Sequence, residues 1–288
     1  MKKSLLRGKS FSPLFLVFFL FLSCGVFMGL KLRIEQIPRK KVPGSSIIYI
    51  PTGKFLKFAT FGYSSFFADL IYLWAIQYYS DYSIPDRFHY LDHIFSIISE
   101  LDPHYVDPYE IGSLIAVYEA RDLNSALKIL DRGLEKNPDQ WLFPLEAGHL
   151  AQIFTKDYNL AKDYYRKAMG IKGAPDLTKR LYANAAFRTM DFKTSWETWL
   201  EIYTTVNDER IKKIASNHLY QVKAAIDVLV IKEAIGKFRA KFRRNPSELS
   251  QLVKAGYLAS LPKDFDGQDY LYDPLTGEVK PATIPWKR

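Results

Sequence analysis

Asp122-Leu-Asn-Ser-Ala126-Leu-Lys-Ile-Leu130-Asp-Arg-Gly133, followed by Asn137-Pro138, decides the fold because the chain writes it more than once. Asp157-Tyr-Asn-Leu-Ala161-Lys-Asp-Tyr-Tyr165-Arg-Lys-Ala168 repeats it, and Asp191-Phe-Lys-Thr-Ser195-Trp-Glu-Thr-Trp199-Leu-Glu-Ile202 repeats it again. The small residue recurs at 126, 161 and 195, spacings of 35 and 34. Each copy reads as a turn ending in Asp plus a hydrophobe, then a helix with small, large and small residues at i, i+4 and i+7. The third copy departs at the last of these, with Ile202 in the small position. Small residues let helices approach closely and the large one fills the space between neighbouring pairs, so the pattern predicts stacked helical hairpins.

These residues resemble the second helix of the tetratricopeptide repeat, with Ala126, Leu130, Gly133 and Pro138, then Ala161, Tyr165 and Ala168 at its signature positions. The first-helix signature is degraded, although Tyr182-Ala183 and Ala186 stand where the family places Leu-Gly and Tyr. An earlier, degenerate repeat is expected, with Trp74 and Tyr78 on its first helix and residues 87–100 as its second. The resemblance covers roughly residues 65–207 and implies an all-α fold, a right-handed solenoid of helical hairpins. It further implies a concave protein-binding groove lined by the first helices. In family register the groove positions are Ile111, Ile115, Tyr118 and Glu119, then Glu146, Leu150, Ile153 and Phe154, then Arg180, Asn184, Phe187 and Arg188. Arg180 and Asn184 are similar to half of the clamp by which some such domains grip a C-terminal carboxylate, but the other clamp positions are not basic.

The chain has 288 residues and a net charge of +9, which invites a nucleic-acid reading until the charge is located. Residues 1–45 hold nine Lys or Arg and one acid, leaving 31 basic against 30 acidic residues afterwards. A nucleic-acid binder needs its basic face on the folded part, so no nucleic-acid partner is expected. Phe11 to Leu30 is free of charge, and twenty helical residues span about 30 Å, the thickness of bilayer hydrocarbon. Lys2, Lys3, Arg7 and Lys9 precede it, as in an export signal or signal anchor. Residues 1–35 are therefore read as a basic start and a transmembrane anchor. A second reading, a lipoprotein signal cut before Cys24, is weakened by the apolar run continuing through Gly25-Val26-Phe27-Met28-Gly29-Leu30. The expected location is a bacterial inner membrane, single-pass, with the folded part in the periplasm. Lys31, Arg33, Arg39, Lys40 and Lys41 follow the span closely, so the positive-inside count does not set the orientation.

Residues 36–57 read as a tether punctuated by Pro and Gly, and Phe58 to Tyr79 as an aromatic helix buried in protein. Asp69 within that helix argues against a second span. Beyond Asp208 a long amphipathic helix runs to Phe242, then Asn245-Pro246-Ser247-Glu248 reads as a helix cap, and Tyr270-Leu271-Tyr272 with Glu278-Val279-Lys280 as two short strands. Phe238–Leu258 and Leu261–Asp273 resemble part of a type II secretion pseudopilin head, without the pilin N-terminal helix motif. In that family acids near this loop can hold calcium, which makes Asp264, Asp266 and Asp269 candidate ligands, against the plainer reading that they solvate the turn around Gly267.

No catalytic constellation emerges. His89 and His93 are spaced for one metal but lack a third ligand, and Pro51-Thr52-Gly53-Lys54 lacks the first glycine and the Lys-Ser/Thr pair of a phosphate loop. No cofactor is expected and the chain is not read as an enzyme. The expectation is a membrane-tethered scaffold or adaptor for another protein of the bacterial envelope, in the assembly of a pilus or secretion machine. An accessory subunit of a membrane enzyme or transporter is the alternative.

Overall fold

The computed structural model describes residues 13–35 and 50–284. It holds two compact units divided between Ile48 and Tyr49. In the first, α1 (Pro13–Glu35) is one unbroken helix. Its Val17–Ile34 stretch is long and apolar enough to cross a membrane, with no part of it buried against protein. The basic start, most of the expected tether and residues 285–288 lie outside the described residues.

In the second unit the described residues form eleven helices and one two-stranded sheet. They are α2 (Gly53–Ala59), α3 (Ser64–Ser80), α4 (Leu91–Leu101), α5 (Val106–Leu114), α6 (Leu123–Lys136), α7 (Leu142–Leu150), α8 (Tyr158–Met169), α9 (Leu177–Arg188), α10 (Phe192–Thr205), α11 (Glu209–Phe242) and α12 (Ser250–Lys254). Strands β1 (Leu271–Asp273) and β2 (Glu278–Lys280) pair antiparallel, Tyr272 opposite Val279. From α3 to α11 each helix packs chiefly against its neighbours in sequence.

The thrice-written motif folds the same way each time. Its small and large residues, Ala126 with Leu130 and Gly133, Ala161 with Tyr165 and Ala168, and Ser195 with Trp199 and Ile202, are all buried. Each leading Asp caps its helix: Asp122 accepts from the Ser125 amide at 3.0 Å, Asp157 from Leu160 at 3.0 Å, and Asp191 from Thr194 at 3.3 Å. The residue before each cap, Arg121, Lys156 or Met190, is left-handed, with φ of 56, 55 and 60°. This reverses the chain from the first helix of a pair into the second, at a cost of about 1 kcal/mol for a residue with a Cβ. Polar links join alternate helices. Asp92 of α4 takes Lys128 at 2.6 Å and Arg132 at 2.7 Å from α6; Asp131 of α6 takes the Tyr164 hydroxyl of α8 at 2.9 Å; Asp191 takes Lys162 of α8 at 3.2 Å. Burial alone would raise the Asp92 carboxyl, but the hydrogen bonds from Lys128 and Arg132 outweigh it and hold it below the usual carboxylate range.

The N-terminal part of this unit departs from expectation. Residues 53–57, assigned to the tether, form most of α2, whose Gly53 lies so close to α4 that a Cβ there would approach the Glu100 Cβ to 2.6 Å. Phe58–Tyr79 is neither one helix nor buried throughout. The chain turns at Phe61 and Gly62, both left-handed, and α3 buries only the face of Ala68, Ala75, Tyr78 and Tyr79. Arg87, expected on a helix, precedes α4 in a turn, where it is buried and donates to the Tyr79 carbonyl at 3.0 Å.

The expected boundary at residue 207 is no break in packing. α11 is 34 residues long and serves two cores. Its Ala215, Leu219 and Val222 close against Trp199 and Ile202, and its Ile231, Ala234, Ile235 and Phe238 pack with Leu252 of α12 and with Tyr270 and Val279 of the C-terminal hairpin. Asn245 caps no helix; its side-chain amide donates to the Pro274 carbonyl at 3.2 Å instead.

Candidate functional site

The first helix of each of two consecutive pairs ends in a π-helical turn: α5 continues as Ile115–Glu119 and α7 as Ala151–Thr155. An extra residue in a helical turn swings the following side chains out of register with the buried face, and such turns recur at functional sites. Here the turns carry Tyr118 and, one repeat on, Ile153 and Phe154. Tyr118 is 58% exposed, Ile153 60% and Phe154 42%. The Tyr118 and Phe154 rings meet edge to face, centroids 5.3 Å apart. Two neighbouring hairpins thus present one joint aromatic surface, of a kind that supplies contact area at low entropic cost.

The other expected groove positions divide. Glu119 is exposed beside Tyr118, with the Tyr82 hydroxyl at 3.5 Å and Arg87 at 3.8 Å. Ile111 and Ile115 are half-buried on α5 and its π-turn. Glu146 is half-buried and lies 3.7 Å from His149. Leu150 is buried, not groove-facing, because its side of α7 is turned into the packed interior. Phe187 packs into the Trp199 core, 5.7 Å from the Phe192 ring, and so supports α9 against α10. Arg180 and Asn184 are half-buried, Arg180 in a small cleft with Asp176, Lys179 and Ile202. Arg188 is exposed, its guanidinium 5.8 Å from the Tyr158 ring centre. The structure therefore gathers Tyr118, Glu119, Ile153 and Phe154, and leaves the α9 positions to packing and the cleft.

The candidate calcium ligands are not brought together. Asp264 is buried, accepting from the Tyr220 hydroxyl at 2.9 Å and from the amides of Asp266 and Gln268 at 3.0 and 2.7 Å. Asp269 is engaged by Lys263 at 2.6 Å. Among the described residues no three His, Cys, Asp or Glu side chains gather as a metal site. His93 is hydrogen-bonded to the Ile50 carbonyl at 3.0 Å, and His89 sets its ring against Tyr90. Cys24 lies exposed within α1, which runs on unbroken for eleven residues past it.

One concavity escaped the sequence reading. Trp196, Ile226 and Phe265 line an apolar hollow between α10, α11 and the loop before β1, with Lys223 and Asp227 at its edge. Its walls come from segments 30 and 39 residues apart, so no local motif announces it. Asp227 is held there by Lys223 and by the Tyr270 hydroxyl, both at 2.7 Å.

No protein-family model matches the chain, and no curated protein matches it in sequence. The functional reading rests on its own residues.

Proposed function

We propose that the chain is a membrane-anchored adaptor whose hairpins form a right-handed tetratricopeptide-like solenoid, and that the surface around Tyr118 and Phe154 binds another polypeptide. The observation that carries this is the aromatic pair itself: two large rings from successive repeats, exposed side by side on π-turns, with Glu119 beside them. The sequence-neighbour packing and the recurring Asp caps support the solenoid. In this reading α1 anchors the chain in a bacterial inner membrane, the folded unit faces the periplasm, and the partner belongs to an envelope assembly such as a pilus or secretion machine. The likeness of the C-terminal hairpin to a pseudopilin head supports that last assignment. The protein works by binding and not by catalysis.

The test is a photo-crosslinker at Tyr118 in cells, identification of the captured polypeptide, and its affinity for the purified chain. Tyr118→Ala with Phe154→Ala should weaken that affinity at least tenfold while leaving thermal unfolding nearly unchanged, because neither side chain belongs to the buried core. Equal affinity in the double variant removes the proposed surface.

A further inference from the structure

The outer side of α2 and α3 is apolar, aromatic and uncovered among the described residues of the folded unit. While Gly53 is buried against α4, Phe55 and Phe58 project from α2 into solvent, Phe58 with 83% of its surface exposed. Phe61 follows in the turn, 88% exposed and at φ 50°, a conformation bulky residues rarely adopt. On α3, Phe66, Leu70 and Leu73 fall at i, i+4 and i+7, opposite the buried Ala68 and Ala75. Such a patch of large side chains marks an interaction site.

Three features identify the occupant. First, the patch begins soon after a helix able to span a membrane: residues 36–49 separate α1 from the first described residue of the folded unit, and fourteen residues reach at most about 50 Å. An inserted α1 would keep the patch near the bilayer at high effective concentration. Second, the charge suits an anionic surface. From Lys31 to Lys57 the sequence has seven basic residues and one acid, and Lys54 and Lys57 stand exposed beside Phe55 and Phe58. Third, exposed Phe and Leu side chains flanked by lysines are the composition of an interfacial contact. Asp69 borders the α3 face and limits the depth, since a carboxylate in hydrocarbon is costly.

We infer that α2 and α3 form a second membrane contact, a peripheral one, in which Phe55, Phe58, Phe61 and Phe66 enter the headgroup layer of an anionic bilayer and Lys54 and Lys57 meet lipid phosphate. The inference rests on the anchored reading of α1. The contact holds the folded unit against the membrane surface by its α2–α3 end, with the repeats that follow it in sequence left to meet a partner.

The test uses the full chain in nanodiscs of phosphatidylcholine and phosphatidylglycerol, with an environment-sensitive fluorophore on one cysteine at a time and a spin-labelled lipid as quencher. The fluorophore is placed on native Cys24, or in a Cys24→Ser background on Phe58→Cys, Phe61→Cys or Leu275→Cys, the last in the exposed β1–β2 turn. Blue-shifted emission and quenching are expected at Cys24, Phe58→Cys and Phe61→Cys, and neither at Leu275→Cys. Lys54→Glu with Lys57→Glu should reduce quenching at Phe58→Cys. Quenching at Cys24 without quenching at the two phenylalanine positions overturns the membrane contact and leaves the anchor standing. The reverse pattern overturns the anchor and leaves the contact. Shielding of the two positions only after a protein partner is added overturns the inference in favour of a protein-docking face.

Discussion

Gly148 gives the sharpest test of how the repeats are packed. It lies in α7, and a Cβ built on it would stand 2.6 and 2.7 Å from two ring carbons of Tyr165 on α8. That ring has nowhere to go. It is fully buried and its hydroxyl donates to Gln152 at 3.1 Å. In an unencumbered helix Gly→Ala stabilises by about 1 kcal/mol. Here the added methyl overpacks a closed interface, which costs about 1–3 kcal/mol. Gly148→Ala should therefore lose about 0–2 kcal/mol net. Gly236→Ala, inside α11 with nothing within 4 Å of the new Cβ, should gain about 0.5–1 kcal/mol. Urea unfolding of the purified chain, followed by far-ultraviolet circular dichroism, reads both changes. Adding Tyr165→Leu to Gly148→Ala should shrink the penalty of the glycine change, the coupling expected of touching residues. A Gly148→Ala variant as stable as Gly236→Ala would refute the close approach of α7 and α8.

Two other outcomes follow from the same structure. His218 stacks on Trp199 with centroids 4.0 Å apart, and burial, partly offset by a hydrogen bond with Gln221, pulls its pKa from 6.5 down to about 4. The unfolded chain takes up the proton first as pH falls, so stability is full above pH 6.5 and is lost on the way down through pH 4. After allowance for partial solvation of the ring this amounts to about 2 kcal/mol. His218→Phe keeps the stack without the proton, and in parallel pH titrations of unfolding it should show a shallower loss over that window; identical profiles would rule the ring out. For the Asp264 turn, adding calcium or a chelator should leave the unfolding midpoint unchanged, because Asp264 is spent on Tyr220 and backbone amides and Asp269 on Lys263. A rise in midpoint with calcium would contradict this.

The second helix of each pair was legible in the sequence because its determinants are local: a capping Asp, then Ala126, Ala161 or Ser195 one turn ahead of a large residue. The first helices were harder. Arg121, Lys156 and Met190 adopt left-handed backbone with no glycine to announce it, and the π-turns shift register, so exposed Phe154 and buried Leu150 could not be told apart by spacing alone. The break after α2 was missed because Phe61 takes a conformation its side chain disfavours. Asp264 read as a candidate ligand because its hydroxyl partner, Tyr220, lies 44 residues earlier. Long-range pairing of that kind leaves no mark in a short window.

α11 joins the last repeat to the C-terminal hairpin as one uninterrupted rod, about 50 Å long at 1.5 Å per residue. A rod shared in this way fixes orientation as well as distance. One residue inserted between Val222 and Ile231 would rotate everything beyond it by about 100°, turning the hairpin's seat away from Leu252 and Val279 while the repeats stayed intact. The phase of that single helix is locked at both ends.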